Sequence, residues 1–337
     1  MQSLVLVTGG NGFLARHIIR ELLRQGHAVR ATLRSLDQAE TVRTDLRIAR
    51  TPHLDRLSFV AADLTQNTGW ATAMAGVTTV MSVAAPVFVN DTNVTNQVAT
   101  AAEVGTHRIL QAAEAAGVKR VVMTANLGAV GFSRFADHIV TEADWTDPEQ
   151  AGLSAYERSK LLAERAAWQY TQRHPASPEL VTVNAGAMLG PALGGHITSS
   201  FGLLTRLIAG KPTPNLVVNV VDVRDVAAIH VRAMEIPEAA GQRILAVEDT
   251  PISMQEIITL IRRHYPEMAA TLPHRLLPTW LVNGLAPFNR AVKEAQLMMR
   301  VSHRVSNQRA RQLLNWQPVS NSRQAVLAAL ASLQEVN

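Results

Sequence analysis

The run Leu4-Val-Leu-Val-Thr8 passes straight into Gly9-Gly10-Asn11-Gly12-Phe13-Leu14-Ala15, and a helical pattern begins without a spacer. Leu14, Ile18, Leu22 and Leu23 fall at helical spacing, and Gly26 supplies a stop. Few folds accept a strand, a glycine turn and a helix joined this tightly. Gly9 and Gly12 allow the turn, and the small Ala15 lets the helix pack close on the strand. The helix N-terminus then offers free N–H groups and a partial positive charge at the strand end, which suits a pyrophosphate.

The alternation continues down the chain. Runs rich in β-formers at Leu4 to Thr8, Ala28 to Leu33, Leu57 to Ala62, Thr78 to Ala85 and Val118 to Thr124 are separated by helical patterns. This repetition predicts an α/β fold, a doubly wound parallel sheet (Rossmann type) with helices on both faces. Sheets of this kind bind ligands at the carboxyl ends of their strands, near the reversal of strand order. Beyond about residue 187 the pattern changes to the Gly-rich PALGGHITS, the turn-rich KPTPNL and helices punctuated by proline. The expected division is a dinucleotide-binding domain over 1–186 and a mainly substrate-binding region over 187–337, with about 215–235 returning to the sheet.

Composition narrows the chemistry. The chain has no cysteine, so disulfides and thiolate metal sites are excluded, and its 11 histidines show no paired metal-ligand spacing. No metal is expected. There is no Walker loop and no Gly-x-Ser-x-Gly elbow. The net charge of +5 comes from basic residues spread along the chain, which disfavours nucleic acid and favours an anionic small molecule. No run of about 18 apolar residues and no leader-like N-terminus is present, so we expect a cytoplasmic chain with no membrane partner.

At the end of the second strand, Val29-Arg30-Ala-Thr-Leu-Arg34-Ser35 has no acid before Asp37. An NAD enzyme would place an acid there for the ribose 2′-hydroxyl, whereas guanidinium groups match a 2′-phosphate. Arg30 and Arg34 therefore predict NADP(H) in preference to NAD(H). Asp63 after the third strand is suited either to the adenine amino group or to capping the segment that follows, and Leu64 to packing on the ring. Tyr156 and Lys160, four apart in a helical pattern, share one face. An ammonium beside a phenol lowers its pKa from ~10 towards the working range.

With these motifs in order, the chain resembles the extended short-chain dehydrogenase/reductase family. The matching residues are Thr8 to Ala15, Asp63-Leu64, Tyr156-x-x-x-Lys160, the turn from Asn184 to Pro191 and Val221-Asp-Val-Arg-Asp-Val226. Val29 to Arg34 and the context of Tyr156 place the likeness in the dihydroflavonol reductase, cinnamoyl-CoA reductase and NADPH aldehyde/ketone reductase branch. The resemblance implies reduction of an aldehyde or ketone, with Tyr156 as proton donor and Lys160 bonding the nicotinamide ribose. It implies further cofactor contacts from Phe13, Leu14, Val83, Ala84, Ala85, Thr124, Ala185, Gly186 and Met188.

Two positions depart from the family pattern. The fifth strand ends in Thr124-Ala125-Asn126, with Asn126 where relatives have the catalytic serine. An amide can donate to a carbonyl oxygen but cannot relay a proton as a hydroxyl does. Strand alternation puts Thr124 on the same side as Asn126, so either could bond the substrate oxygen. The second departure is Ala185, where relatives usually have proline.

Two other readings share the cofactor domain: a nucleotide-sugar epimerase or dehydratase, which would retain bound NAD, and an NADP(H)-binding sensor that has lost catalysis. The intact Tyr156 and Lys160 favour an enzyme. The substrate loops contain Val87, Phe88, Phe132, Phe135, Leu193 and Phe201, from which we expect an apolar or aromatic carbonyl compound. Alanines along residues 99–116 and 156–170 fit a helix-pair homodimer contact as well as packing on the sheet.

Overall fold

The computed structural model describes residues 3–84, 95–195 and 197–336. The first half alternates as expected: β1 (Leu4–Val7), α1 (Phe13–Arg24), β2 (Ala28–Leu33), α2 (Ala39–Ile48), β3 (Leu57–Ala61), α3 (Trp70–Met74), β4 (Thr79–Ser82), α4 (Thr95–Ala115), β5 (Arg120–Asn126), the short α5 (Gly128–Gly131), α6 (Ala155–Arg173) and β6 (Glu179–Ala185). There follow β7 (Ala187–Leu189), α7 (Gly202–Ile208), β8 (Val217–Val218), β9 (Val220–Asp222), α8 (Val223–Glu235), β10 (Arg243–Ala246) and β11 (Ile252–Ser253). The chain closes with α9 (Met254–His264), α10 (Thr279–Leu285), α11 (Arg290–Arg300), α12 (Gln308–Leu314) and α13 (Ser322–Val336).

One seven-stranded parallel sheet runs in the order β10-β6-β5-β4-β1-β2-β3. Strand order reverses between β1 and β4, which opens a crevice at their carboxyl ends. The returning segment reaches farther than residues 215–235, because α8 packs on α1 and β10 then joins the sheet beside β6.

Period-two alternation sorts the side chains between two cores. Val5, Val7, Val29, Ala31 and Val122 pack with Leu14 and Ile18 of α1 and Val226 and Ile229 of α8. Leu6, Val80, Val121 and Met123 pack with Ile109 and Leu110 of α4 and Ala163 and Ala167 of α6. Residues on the two faces of β5 therefore meet different helices. Its end lies two residues beyond Thr124, since Asn126 is still in register with Ala185 and Leu127 N–H bonds the Ala185 carbonyl at 2.9 Å.

Candidate active site

The glycine loop is closed by its own backbone and by two threonines. Gly9, at φ +66°, donates to Thr32 Oγ1 at 2.9 Å, and Gly10 donates to the Thr32 carbonyl at 2.8 Å. Thr8 Oγ1 accepts from the N–H groups of both Val83 and Ala84 at 2.9 Å, tying the end of β4 to the loop. A Cβ on Gly10 would lie 2.6 Å from the Ala31 Cβ, so the loop sits directly on β2. Gly12 caps α1 without a side-chain hydrogen bond, and no acid occupies the first turn. That leaves an unscreened helix N-terminus facing the crevice, the arrangement a pyrophosphate requires.

Phe13 and Leu14 themselves are buried, and Phe13 packs edge-on against Phe201 at 5.4 Å. Their backbone N–H groups, not their side chains, belong to the loop. At the next strand end the two arginines separate. Arg30 lies within β2, and its Nη1 donates to the carbonyls of Thr72, Ala73 and Ala75 at 3.2, 2.9 and 2.7 Å. Through this nitrogen the guanidinium closes the C-terminus of α3, from a position in mid-strand and not at the carboxyl end of β2 where a cofactor phosphate is expected. Arg34 lies just past β2, close enough to Asp63 to help hold its carboxyl below the ordinary range.

Asp63 Oδ1 accepts from Thr65 N–H at 2.8 Å and from its hydroxyl at 2.9 Å. Those bonds are the largest cause of its lowered pKa, and they cap a turn, since α3 begins only after Gly69. Asp63 Oδ2 makes no hydrogen bond with a described residue, so one oxygen is left for a ligand. Leu64 and Ala84 line the cleft that also contains Tyr156, Ser159 and Lys160. Ala85, Val87 and Phe88 lie outside the described residues.

Near the other side of the crevice, Ala185 ends β6 and is buried. Gly186 donates to the Ala246 carbonyl at 3.0 Å, and a Cβ there would collide with the Asn219 carbonyl oxygen. Met188 is half-buried in β7, paired with Val221 of β9. These residues form a backbone turn from the sheet into the C-terminal part.

Tyr156 and Lys160 come from the first turns of α6, whose N-cap is Ser154. Although 43% of Tyr156 is exposed, desolvation by its surroundings pushes its pKa up to about 12. The charge of Glu157 acts in the same direction, and a hydrogen bond from the Asn126 side chain opposes both. Asn126 Oδ1 accepts from Gly128 N–H, which turns the amide nitrogen to the phenol. Burial lowers Lys160 to about 8, against the attraction of Glu157.

Thr124 borders the same cleft, but its hydroxyl is engaged elsewhere. It forms a 2.8 Å hydrogen bond with Nε2 of His230, a fully buried residue of α8 whose Nδ1 lies 2.8 Å from the Val226 carbonyl. Thr124 and Asn126 thus do not act alike, because the end of β5 brings Asn126 to α6 while Thr124 remains on the α8 face. Of the two, Asn126 is the one whose side chain lowers the pKa of Tyr156.

The expected substrate loops also divide. Phe201 is fully buried and Leu193 nearly so, both in the core beneath α1, so neither lines an open pocket. Phe135 is 39% exposed, with the Arg300 guanidinium 5.7 Å from its ring, and Phe132 is half-buried. Gly10, Thr32, His230 and Glu157 were not singled out from the sequence. For Gly10 the adjacent glycines were a signal; for His230, whose partner is 106 residues away, there was none.

Comparison with known proteins adds the relationship. Residues 5–247 match the family model described as the NAD dependent epimerase/dehydratase family. Tetraketide alpha-pyrone reductase 2 of Arabidopsis thaliana is 34% identical over 272 residues, covering 77% of this chain and 82% of the relative. Cinnamoyl-CoA reductase 1 of Oryza sativa subsp. japonica is 34% identical over 276 residues, covering 80% and 78%. Among solved structures, Gre2 of Candida albicans in complex with NADPH superposes with a TM-score of 0.81 at 24% identity, over 99% of both chains, which shows a shared fold.

Proposed function

The chain belongs to the NAD dependent epimerase/dehydratase family, and from that premise we propose that it is an NADP(H)-dependent oxidoreductase that reduces an aldehyde or ketone to an alcohol. The observation that carries this reading is the grouping of Tyr156 and Lys160 with Ser82, Ala84 and Thr124 in a cleft at the carboxyl ends of β4 and β5, with the Asn126 side chain acting on the phenol. The names of the reductase relatives, and NADPH in the Gre2 complex, point the same way.

The residues present fit a dinucleotide. The uncapped N-terminus of α1 with Gly9, Gly10 and Gly12 would hold the pyrophosphate, and Asp63 and Leu64 the adenine. Arg34, with no acid at the end of β2, would take the 2′-phosphate. Backbone groups near Val83, Ala84, Ala185, Gly186 and Met188 border the nicotinamide end. When bound, the reduced nicotinamide supplies hydride.

The remaining chemistry belongs to the chain. Tyr156 is protonated at neutral pH and can give its proton to the oxygen that gains charge as the carbonyl is reduced. Asn126 donates to the phenolic oxygen and stabilises the phenolate left behind. Lys160 adds positive charge on the same helix face. Phe132 and Phe135 support an apolar or aromatic carbonyl substrate. The reading also includes pairing of two chains through α4 and α6, where Val104, 45% exposed, is an apolar residue to be covered.

The test is NADPH consumption over a panel of aliphatic and aromatic aldehydes and ketones, beside NADH and beside Tyr156→Phe. Turnover that prefers NADPH and disappears in the Phe variant supports the reductase. Tightly retained NAD with turnover of a nucleotide sugar would replace it with the epimerase reading.

A further inference from the structure

The carboxylate of Glu157 sits next to the catalytic tyrosine and has no role in the chemistry described so far. Ser154 and Glu157 have the spacing of a capping box, in which the glutamate would reach back to the N-cap backbone. It does not do so. Ser154 accepts from Glu157 N–H at 3.1 Å, but the carboxylate turns inward, and its Oε2 is buried without a hydrogen-bond partner. Gly128 makes the space: a Cβ there would collide with Glu157 Oε2 and lie 2.6 Å from Asn126 Oδ1.

The carboxylate therefore shares one small space with the Asn126 amide that bonds Tyr156. A buried carboxylate without donors is unfavourable unless a nearby charge compensates it. Burial pushes the Glu157 carboxyl up to about 7; Lys160 on the same helix face pulls against that and Glu294 of α11 adds to it, so the carboxylate carries its charge above neutral pH. Lys160 and Tyr156 of α6 and Glu294 of α11 are the titratable groups facing it, while β5 and α5 present Asn126 and the Gly128 backbone.

Resting on the reductase reading, we propose that Glu157 is a positioning residue for Tyr156: lodged beside the phenol in the space left by Gly128, its carboxylate sets the pH range over which Tyr156 serves as the acid. In reduction the O–H bond of Tyr156 breaks as the O–H bond of the product alcohol forms, and solvent then restores the proton. A negative neighbour disfavours the phenolate, so Tyr156 keeps its proton to higher pH. The same charge favours the ammonium of Lys160. Removing it moves both groups in the same direction.

The test compares wild type, Glu157→Gln and the charge-retaining Glu157→Asp. The pH dependence of kcat/KM for carbonyl reduction should lose its alkaline limb about one pH unit earlier in the Gln variant, with the Asp variant near wild type. Phenolate absorbance, taken as the difference from Tyr156→Phe in a protein with 3 tyrosines, reads Tyr156 apart from Lys160 and needs no turnover. Its midpoint should fall in the Gln variant and not in the Asp variant. A Gln variant that loses rate or stability while limb and titration stay in place overturns the proposal. A shifted titration in a protein that reduces no carbonyl would leave the role of Glu157 standing and remove the reductase reading.

Discussion

Asn126 and Thr124 are two residues apart on one strand, and the protein uses them differently. The Asn126 side chain acts on the phenol of Tyr156, whereas the Thr124 hydroxyl is bound to His230 of α8. Asn126→Ala should lower kcat about a hundredfold with little change in NADPH affinity, as expected for a lost donor at a developing charge. Thr124→Val should keep kcat within a few-fold and lower stability by about 1–3 kcal/mol in urea unfolding, because it leaves a buried histidine nitrogen unpaired. The reverse pattern would make Thr124 the donor. At the cofactor end, Arg34→Ala should raise the KM for NADPH about tenfold or more and that for NADH much less, since only NADPH carries the 2′-phosphate. Steady-state kinetics with both cofactors decide it, and Arg30→Ala should appear as reduced stability, not as a change in cofactor preference.

At the scale of elements, α6 has to hold Tyr156 and Lys160 at a fixed height above the sheet, and a buried ion pair does this. Glu164, one turn after Lys160, is fully buried and accepts from Arg243 of β10 at 2.8 Å. It also accepts from Thr182 at 3.0 Å and Asn184 at 2.7 Å, both on β6. Arg243 in turn donates to the Glu142 and Asp144 carbonyls at 2.9 and 2.6 Å and lies 3.7 Å from the Trp145 ring centroid. The helix, two strands and the preceding loop are joined at one point. Arg243→Leu would strand the carboxylate and should destabilise the fold by about 3–5 kcal/mol, seen as a lower urea midpoint. Gly186→Ala meets backbone, which cannot yield as a side chain can. It should cost about 1–3 kcal/mol and weaken NADPH binding in the same titration.

For the molecule as a whole, buried titratable groups limit the pH range of stability from both sides. Burial lowers His17 and His230 to about 4, while an unfolded histidine takes a proton near 6.5. Their contribution is present above that value and is lost as pH falls towards 4. Burial, with Asp225 adding to it, raises Glu248 to about 8 from the ordinary glutamate value of 4.5. Here the native state holds the extra proton, so stability declines as pH rises from about 4.5 to 8. Glu248→Gln should therefore raise Tm at pH near 8 and change it little below pH ~4.5. An equal effect at both ends would argue that Glu248 is not protonated in the native state.

The order of elements, the glycine loop, the Tyr156 and Lys160 pair and the absence of an acid at the end of β2 were legible in the chain because each is local. Periodicity, turn chemistry and helix spacing act over a few residues, and a parallel sheet built from them leaves little choice of crevice. Contacts made across the fold were not legible. Arg30 looks like a phosphate ligand until carbonyls more than 40 residues away are brought to it, and Phe201 looks like a pocket wall until α1 covers it. Glu157 has the spacing of a cap, yet its carboxylate turns inward because Gly128, on another element, leaves room and Lys160 offers charge. The sequence alone determined which elements form and where a dinucleotide would enter. Packing decided which polar side chains are free to meet it, because a donor or acceptor is spent on whatever partner the folded chain brings within reach.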